Sequence, residues 1–105
     1  MTNLADIPPE IILMNRMNGL ARVYAGFMRQ ASQTPQPETD PRLQTMATLY
    51  WSLAARVYDD FLDRGLPRQR WNELAEKSGM NELMRKASQA ATRTGYRALM
   101  NAAPG

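Results

Sequence analysis

The strongest constraint on this chain is an apolar repeat near its start that has the period of an α-helix. Its members recur at alternating spacings of four and three positions: Leu13, Met17, Leu20, Tyr24, Phe27 and Ala31. This spacing places all of them on one face of a helix. It predicts a long first helix that begins at Pro8–Glu10 and ends between Gln30 and Ser32, with Asp6 as its N-terminal cap.

The amino-acid composition extends the helical prediction to the whole chain. Ala contributes 14 and Leu 11 of the 105 residues, whereas Val and Ile together number only five. Ala, Leu, Met and Arg favour helices, and β-branched residues favour strands. The sequence therefore predicts an all-α fold.

A polar linker separates the first helix from the second. Residues 32–40 (SQTPQPETD) contain two prolines and no large apolar side chain, as is typical of a loop. Asp40 and Pro41 form the cap and first-turn proline that open a second helix. We expect this helix to end near Asp63, with Gly65 as its stop signal. Because its apolar arc is wide, it is predicted to be the central helix.

Two more helices are predicted after the second. The third is short and spans roughly Arg68–Lys77, and the fourth runs from about Asn81 to Ala102, with Gly95 as a weak point where a kink or fray is expected. The expected architecture is a single domain over residues 1–105, a compact helical bundle of three long helices and one short helix. Gly19 and Gly26 lie one heptad apart in the first helix, which predicts close approach of another backbone there.

The residue types that are missing exclude several kinds of chemistry. Without His or Cys, the chain has no zinc ligands of the usual kind, no thiol nucleophile and no imidazole base. No Gly-rich phosphate loop or Ser-x-x-Lys spacing is present. Asp59, Asp60 and Asp63 cluster, but no second acidic segment completes a metal site. We therefore expect no catalytic residue, no metal, no cofactor and no small-molecule substrate, that is, a protein that is not an enzyme.

Neither a secretory signal nor a membrane span is predicted. The segment MTNLADIPPE lacks a basic start followed by an apolar run, and polar residues interrupt the longest uncharged stretch, 43–55. We expect a cytoplasmic protein without a membrane partner.

The basic residues are distributed unevenly. Residues 1–65 contain six Arg and seven acidic residues, whereas residues 66–105 contain seven basic and three acidic residues. Arg binds phosphate through paired donors, so the first hypothesis is an accessory subunit of a nucleoprotein assembly that contacts the RNA or DNA backbone without reading bases. The candidate contacts are Arg68, Arg70, Lys86, Arg93 and Arg97, the last three on one exposed side of the fourth helix. A solvated helix face is the alternative interpretation of the same residues.

Two further hypotheses remain open. One is a protein–protein adaptor, or a phage- or plasmid-encoded inhibitor, that binds a larger protein complex through the first two helices, with Met14, Tyr24 and Met28 facing the partner. The other is a helix-turn-helix-like DNA-binding regulator. The stretch 71–86 matches that motif at Ala75 and Gly79, but places Arg85 where an apolar residue is expected.

Overall fold

A computed structural model describes residues 8–105 of the chain. Five helices and one 3-10 turn occur within this range: α1 (Pro9–Ser32), the turn Pro37–Thr39, α2 (Pro41–Asp63), α3 (Arg68–Lys77), α4 (Met80–Gln89) and α5 (Arg93–Asn101). No strand forms in residues 8–105, and the all-α prediction is confirmed. The proposed cap Asp6 lies outside the described residues. None of the helices in this part of the chain is long and apolar enough to span a lipid bilayer.

The first three helices have the predicted bounds because local signals specify their ends. The Asp40 carboxylate accepts the backbone N–H of Arg42 at 2.8 Å and that of Leu43 at 3.4 Å, which caps α2. Gly65 follows the end of α2 with a positive φ of 67°, the left-handed conformation that favours glycine at a helix end.

The predicted fourth helix is in fact two helices, because Thr92 caps a new helix. Thr92 has an extended backbone, and its Oγ1 accepts the N–H of Gly95 at 3.0 Å. Such a hydroxyl competes with continuation of the preceding helix. The four-helix count and the kink expected at Gly95 were therefore wrong, since the break lies at residues 90–92.

Gly95 instead marks a close contact between α5 and α1. A Cβ added there would lie 3.0 Å from the Thr92 hydroxyl and 3.2 Å from the Ala31 side chain. The absence of a side chain at Gly95 thus lets α5 approach the end of α1.

α1, and not α2, is the central helix, because α1 contacts each of the other four helices. All six members of the apolar repeat on α1 are buried, as predicted. One core cluster joins the C-terminal half of α1 to the N-terminal half of α2 and to α5. A second cluster joins the N-terminal half of α1 to the C-terminal half of α2 and to α3. α1 and α2 are thus antiparallel.

Candidate functional site

An open groove with a volume of about 490 Å³ lies between α1 and α2. Its floor is apolar and is formed by Leu20, Val23, Leu53 and Val57. Leu20 and Val57 belong to the buried core, while Val23 and Leu53 remain partly exposed. The antiparallel pairing of the two helices therefore leaves an apolar strip at the surface between them.

Gly19 leaves the α1 wall of this groove without a side chain. A Cβ placed on Gly19 or on Gly26 would have no atom within 4 Å. The close backbone approach predicted at these two glycines is thus not made by any part of residues 8–105. The groove therefore continues onto a part of the α1 surface from which no side chain projects at Gly19 or Gly26. We call this part the low surface of α1.

The rim of the groove is basic. Arg16 lies on the α1 side and Arg56 on the α2 side. The Arg16 guanidinium is 3.4 Å from the Asp60 carboxylate, which Arg64 also contacts at 3.2 Å. Within the described part of the chain, Arg56 forms no ion pair with a carboxylate. The α2 rim therefore carries a cation that is available to a ligand.

The outer face of α1 adds to this positive charge. Arg22 is three positions after Gly19 and four before Gly26, so it shares their exposed side. The Arg22 Nε donates to the Asn18 side-chain oxygen at 2.8 Å. After Glu10, α1 contains three Arg and no acidic residue. We call the groove and this face of α1 together the basic groove.

The residues predicted to bind nucleic acid do not form one surface along one helix. The break at Thr92 separates Lys86 on α4 from Arg93 and Arg97 on α5, so helical spacing no longer aligns them. Lys86 lies 3.8 Å from Glu82, which Arg85 also contacts.

Ion pairing further limits the availability of two of the other candidates. Arg97 lies 4.0 Å from Glu38. Arg70 contacts both Glu10 on α1 and Glu73, with its Nε 2.9 Å from the Glu10 carboxylate. This hydrogen bond lowers the pKa of Glu10. The ion pair between Arg70 and Glu10 therefore links α3 to the start of α1.

Arg68 and Arg93 differ from the other candidates because they form no ion pair within the part of the chain that the structure describes. Both are exposed, and neither forms an ion pair with a carboxylate of residues 8–105. They lie on different helices, Arg68 at the first position of α3 and Arg93 at the first position of α5.

The exposure expected for Met28 was wrong, whereas Tyr24 is buried, as its place in the apolar repeat predicts. Tyr24 is 4% and Met28 1% exposed, and both belong to the core. The Tyr24 hydroxyl lies 2.7 Å from the Ser88 hydroxyl and donates to that of Tyr96. Burial raises the pKa of Tyr24 to about 12. Because α4 and α5 cover this side of α1, only Met14 of the three predicted contacts remains partly exposed.

The region that partly matches a helix-turn-helix consists of α3, a two-residue turn and α4. Gly79 in this turn has a positive φ of 82°, which the αL region allows for glycine. The turn is shorter than the usual three or four residues of that motif. α4 then runs along α1. The Asn18 amide of α1 donates to the carbonyl of Ser78, in the turn before α4, at 2.8 Å.

Of the acidic residues that cluster in α2, Asp60 forms ion pairs within residues 8–105, and Asp59 and Asp63 do not. Asp60 contacts Arg16 and Arg64, as described above, and Asp59 and Asp63 are exposed. In the described range, no group of three or more acidic side chains is arranged to hold a metal ion.

The sequence patterns did not reveal the groove, although its residues were visible in them. Helical spacing alone groups Leu53 with the buried apolar residues of α2 and assigns Gly19 to a contact between helices. The informative signal was the combination of two glycines with an α1 sequence that is free of acidic residues after Glu10.

Comparison with known proteins adds no assignment: scans of protein-family models, of curated proteins and of solved structures found no match to this chain.

Proposed function

We propose that this chain is a non-enzymatic binding module that engages a partner protein through the basic groove. The observation that carries the proposal is the apolar floor of that groove, which is open to solvent between α1 and α2. Burial of exposed apolar surface is the main favourable contribution to protein association. A partner side chain that covers Val23 and Leu53 would remove both from water.

The chemistry of the groove favours a protein over a nucleic-acid backbone. Phosphate binding depends on cations and gains little from an apolar floor. A protein partner can use both parts of the site, with apolar anchors at the centre and charges at the rim. No catalytic step is needed for this role.

Site-specific photo-crosslinking in the native host tests the proposal. A photoreactive amino acid replaces Leu53 in the groove, and in the matched control it replaces Thr45, an exposed α2 residue outside the groove. We expect a covalent protein adduct from position 53 and none from position 45. The protein is identified by mass spectrometry, and the complex is then reconstituted from the two purified components. Adducts to nucleic acid, or equal adducts from both positions, would contradict the proposal.

Binding of a nucleic-acid backbone is the second candidate function. The excess of basic residues in 66–105 supports it, and so does the fact that neither Arg68 nor Arg93 pairs with a carboxylate of residues 8–105. Exposed ion pairs contribute little, about 0–1 kcal/mol, so Lys86 and Arg97 can exchange a carboxylate for a phosphate.

Fluorescence anisotropy with single- and double-stranded oligonucleotides tests this second candidate. If it holds, the Arg93→Ala/Arg97→Ala double variant should reduce the slope of log K against log salt by about one per lost contact. Affinity that is undetectable near physiological salt would remove it from consideration.

A further inference from the structure

We infer that the partner segment is an acidic amphipathic α-helix that lies lengthwise in the basic groove. Its apolar stripe would cover Val23, Leu53 and the bare backbone at Gly19, and its carboxylates would pair with Arg56 and Arg22. This inference rests on the proposed function and adds the chemical nature of the ligand to it.

The shape of the surface supports a helix as the occupant. Gly19 and Gly26 are disfavoured in a helix interior relative to Ala, and neither makes room for another part of residues 8–105. They are seven residues apart, so the low surface extends for about 10 Å along α1. Small residues of this kind allow two helix backbones to approach closely. About two turns of a partner helix would cover this length.

The charge around the groove supports an acidic partner. Arg22 and Arg56 form no ion pair with a carboxylate of the described chain, and Arg29 on the outer side of α1 forms none either. Of the arginines around the groove, only Arg16 pairs with a carboxylate of residues 8–105, that of Asp60. Carboxylates on the flanks of a helix that sits in the groove would complement this excess and accelerate association.

The same charge disfavours a second copy of this chain as the occupant. In a two-fold symmetric contact through α1, the same surface faces itself. The exposed side of α1 would then bring Arg22 and Arg29 of one copy next to the equivalent arginines of the other. Because α1 has no acidic residue after Glu10 to balance them, such a pair of helices would repel.

Three synthetic helical peptides of about 14 residues serve as probes for the full-length protein. The first has a Leu stripe flanked by Glu, the second has Lys at every Glu position, and the third keeps Glu but has Ser in place of Leu. Binding is measured by calorimetry at about 0.05 and 0.2 M salt, and the contact surface is mapped by amide chemical-shift changes. We expect the Leu/Glu peptide to bind at least about tenfold more tightly than either control. The largest shifts should lie at Gly19, Val23 and Leu53.

Two variants and their matched controls identify the contacts. Arg56→Glu should reduce the preference for the Glu peptide over the Lys peptide, whereas Arg42→Glu, a charge reversal at the start of α2, should leave that preference unchanged. Gly19→Leu should weaken binding of the Leu/Glu peptide at least about tenfold by filling the groove. Gln89→Leu, which adds the same side chain on exposed α4, should have no effect. Circular dichroism confirms that each variant remains helical.

Other results overturn the inference in distinguishable ways. Equal binding of the Glu and Lys peptides, or shifts outside the groove, would show that the ligand is not an acidic helix at this site. Self-association that Gly19→Leu abolishes would assign the groove to a second copy of the chain. A failure of all peptides would reject the acidic helix, but crosslinking from position 53 would still report whether the partner is a protein.

Discussion

The indole Nε1 of Trp51 donates a hydrogen bond to the carbonyl oxygen of Leu99 at 2.8 Å. This bond connects the middle of α2 to the last turn of α5. The Leu99 carbonyl also accepts the backbone N–H of Ala102 at 3.2 Å, so the indole is a second donor to an oxygen that has two lone pairs. The two residues are separated by 47 intervening positions, and only the tertiary fold brings them together.

The Trp51–Leu99 bond should contribute measurably to stability. Trp51→Phe keeps an aromatic ring but removes the donor, and we expect it to reduce the free energy of unfolding by about 1 kcal/mol. Urea denaturation followed by far-ultraviolet circular dichroism measures the loss. Ser52→Ala, at the exposed neighbouring position, is the control and should change stability by less than about 0.5 kcal/mol. Equal stability of Trp51→Phe and wild type would show that this bond contributes nothing.

The cap at Thr92 should determine where α5 begins. Thr92→Ala removes the acceptor for the Gly95 N–H, and we expect a loss of about 1 kcal/mol. Thr92→Asp supplies a carboxylate in the same role and should restore most of it. Thr94→Ala removes a hydroxyl that contacts Thr92 but not the Gly95 amide, so it serves as the control. Hydrogen exchange at Gly95 should accelerate in Thr92→Ala alone; unchanged exchange there would argue against the cap.

Glycine-to-alanine substitutions should have opposite effects at different positions. Gly19→Ala and Gly26→Ala place a Cβ in open space, so each should stabilise the fold by up to about 1 kcal/mol. Gly95→Ala should destabilise it, because the new Cβ would meet Ala31 at 3.2 Å. The midpoints of urea unfolding rank the three variants. Stabilisation by Gly95→Ala would contradict the close contact between α5 and α1.

Stability should fall at acidic pH partly because of the Arg70–Glu10 pair. The hydrogen bond from Arg70 lowers the pKa of Glu10 in the folded state. A carboxylate with a lowered folded-state pKa contributes stability at pH values above its unfolded-state pKa, and this contribution is lost as pH falls through the folded-state value. Glu10→Gln should therefore be less stable than wild type at neutral pH, and the difference should shrink at acidic pH.

Urea denaturation at several pH values tests this dependence. Asp63→Asn is the control, because no cation of residues 8–105 forms an ion pair with Asp63. At neutral pH it should lack the loss of stability that Glu10→Gln shows. A constant difference between wild type and Glu10→Gln at all pH values would exclude the proposed titration.

Local sequence patterns were sufficient to predict the all-α fold class and the bounds of the first three helices. The repeat from Leu13 to Ala31, the Asp40 cap and the Gly65 stop act through neighbouring residues, and each has its expected effect in the structure. A helix and its ends depend on contacts within a few positions, which a sequence displays directly. Of the basic groove, the sequence shows only which residue types α1 contributes, namely arginines without acidic residues after Glu10 and two interior glycines.

The sequence by itself thus determined that this protein is all-α, and where α1, α2 and α3 begin and end. The tertiary structure decided the rest, because those features depend on distant residues. The packing of α5 on Ala31 accompanies the break at Thr92, and the cover supplied by α4 and α5 buries Tyr24 and Met28. The groove exists only because α1 and α2 pack antiparallel with one side left open. No periodicity within a helix reports which of its faces a distant segment will cover.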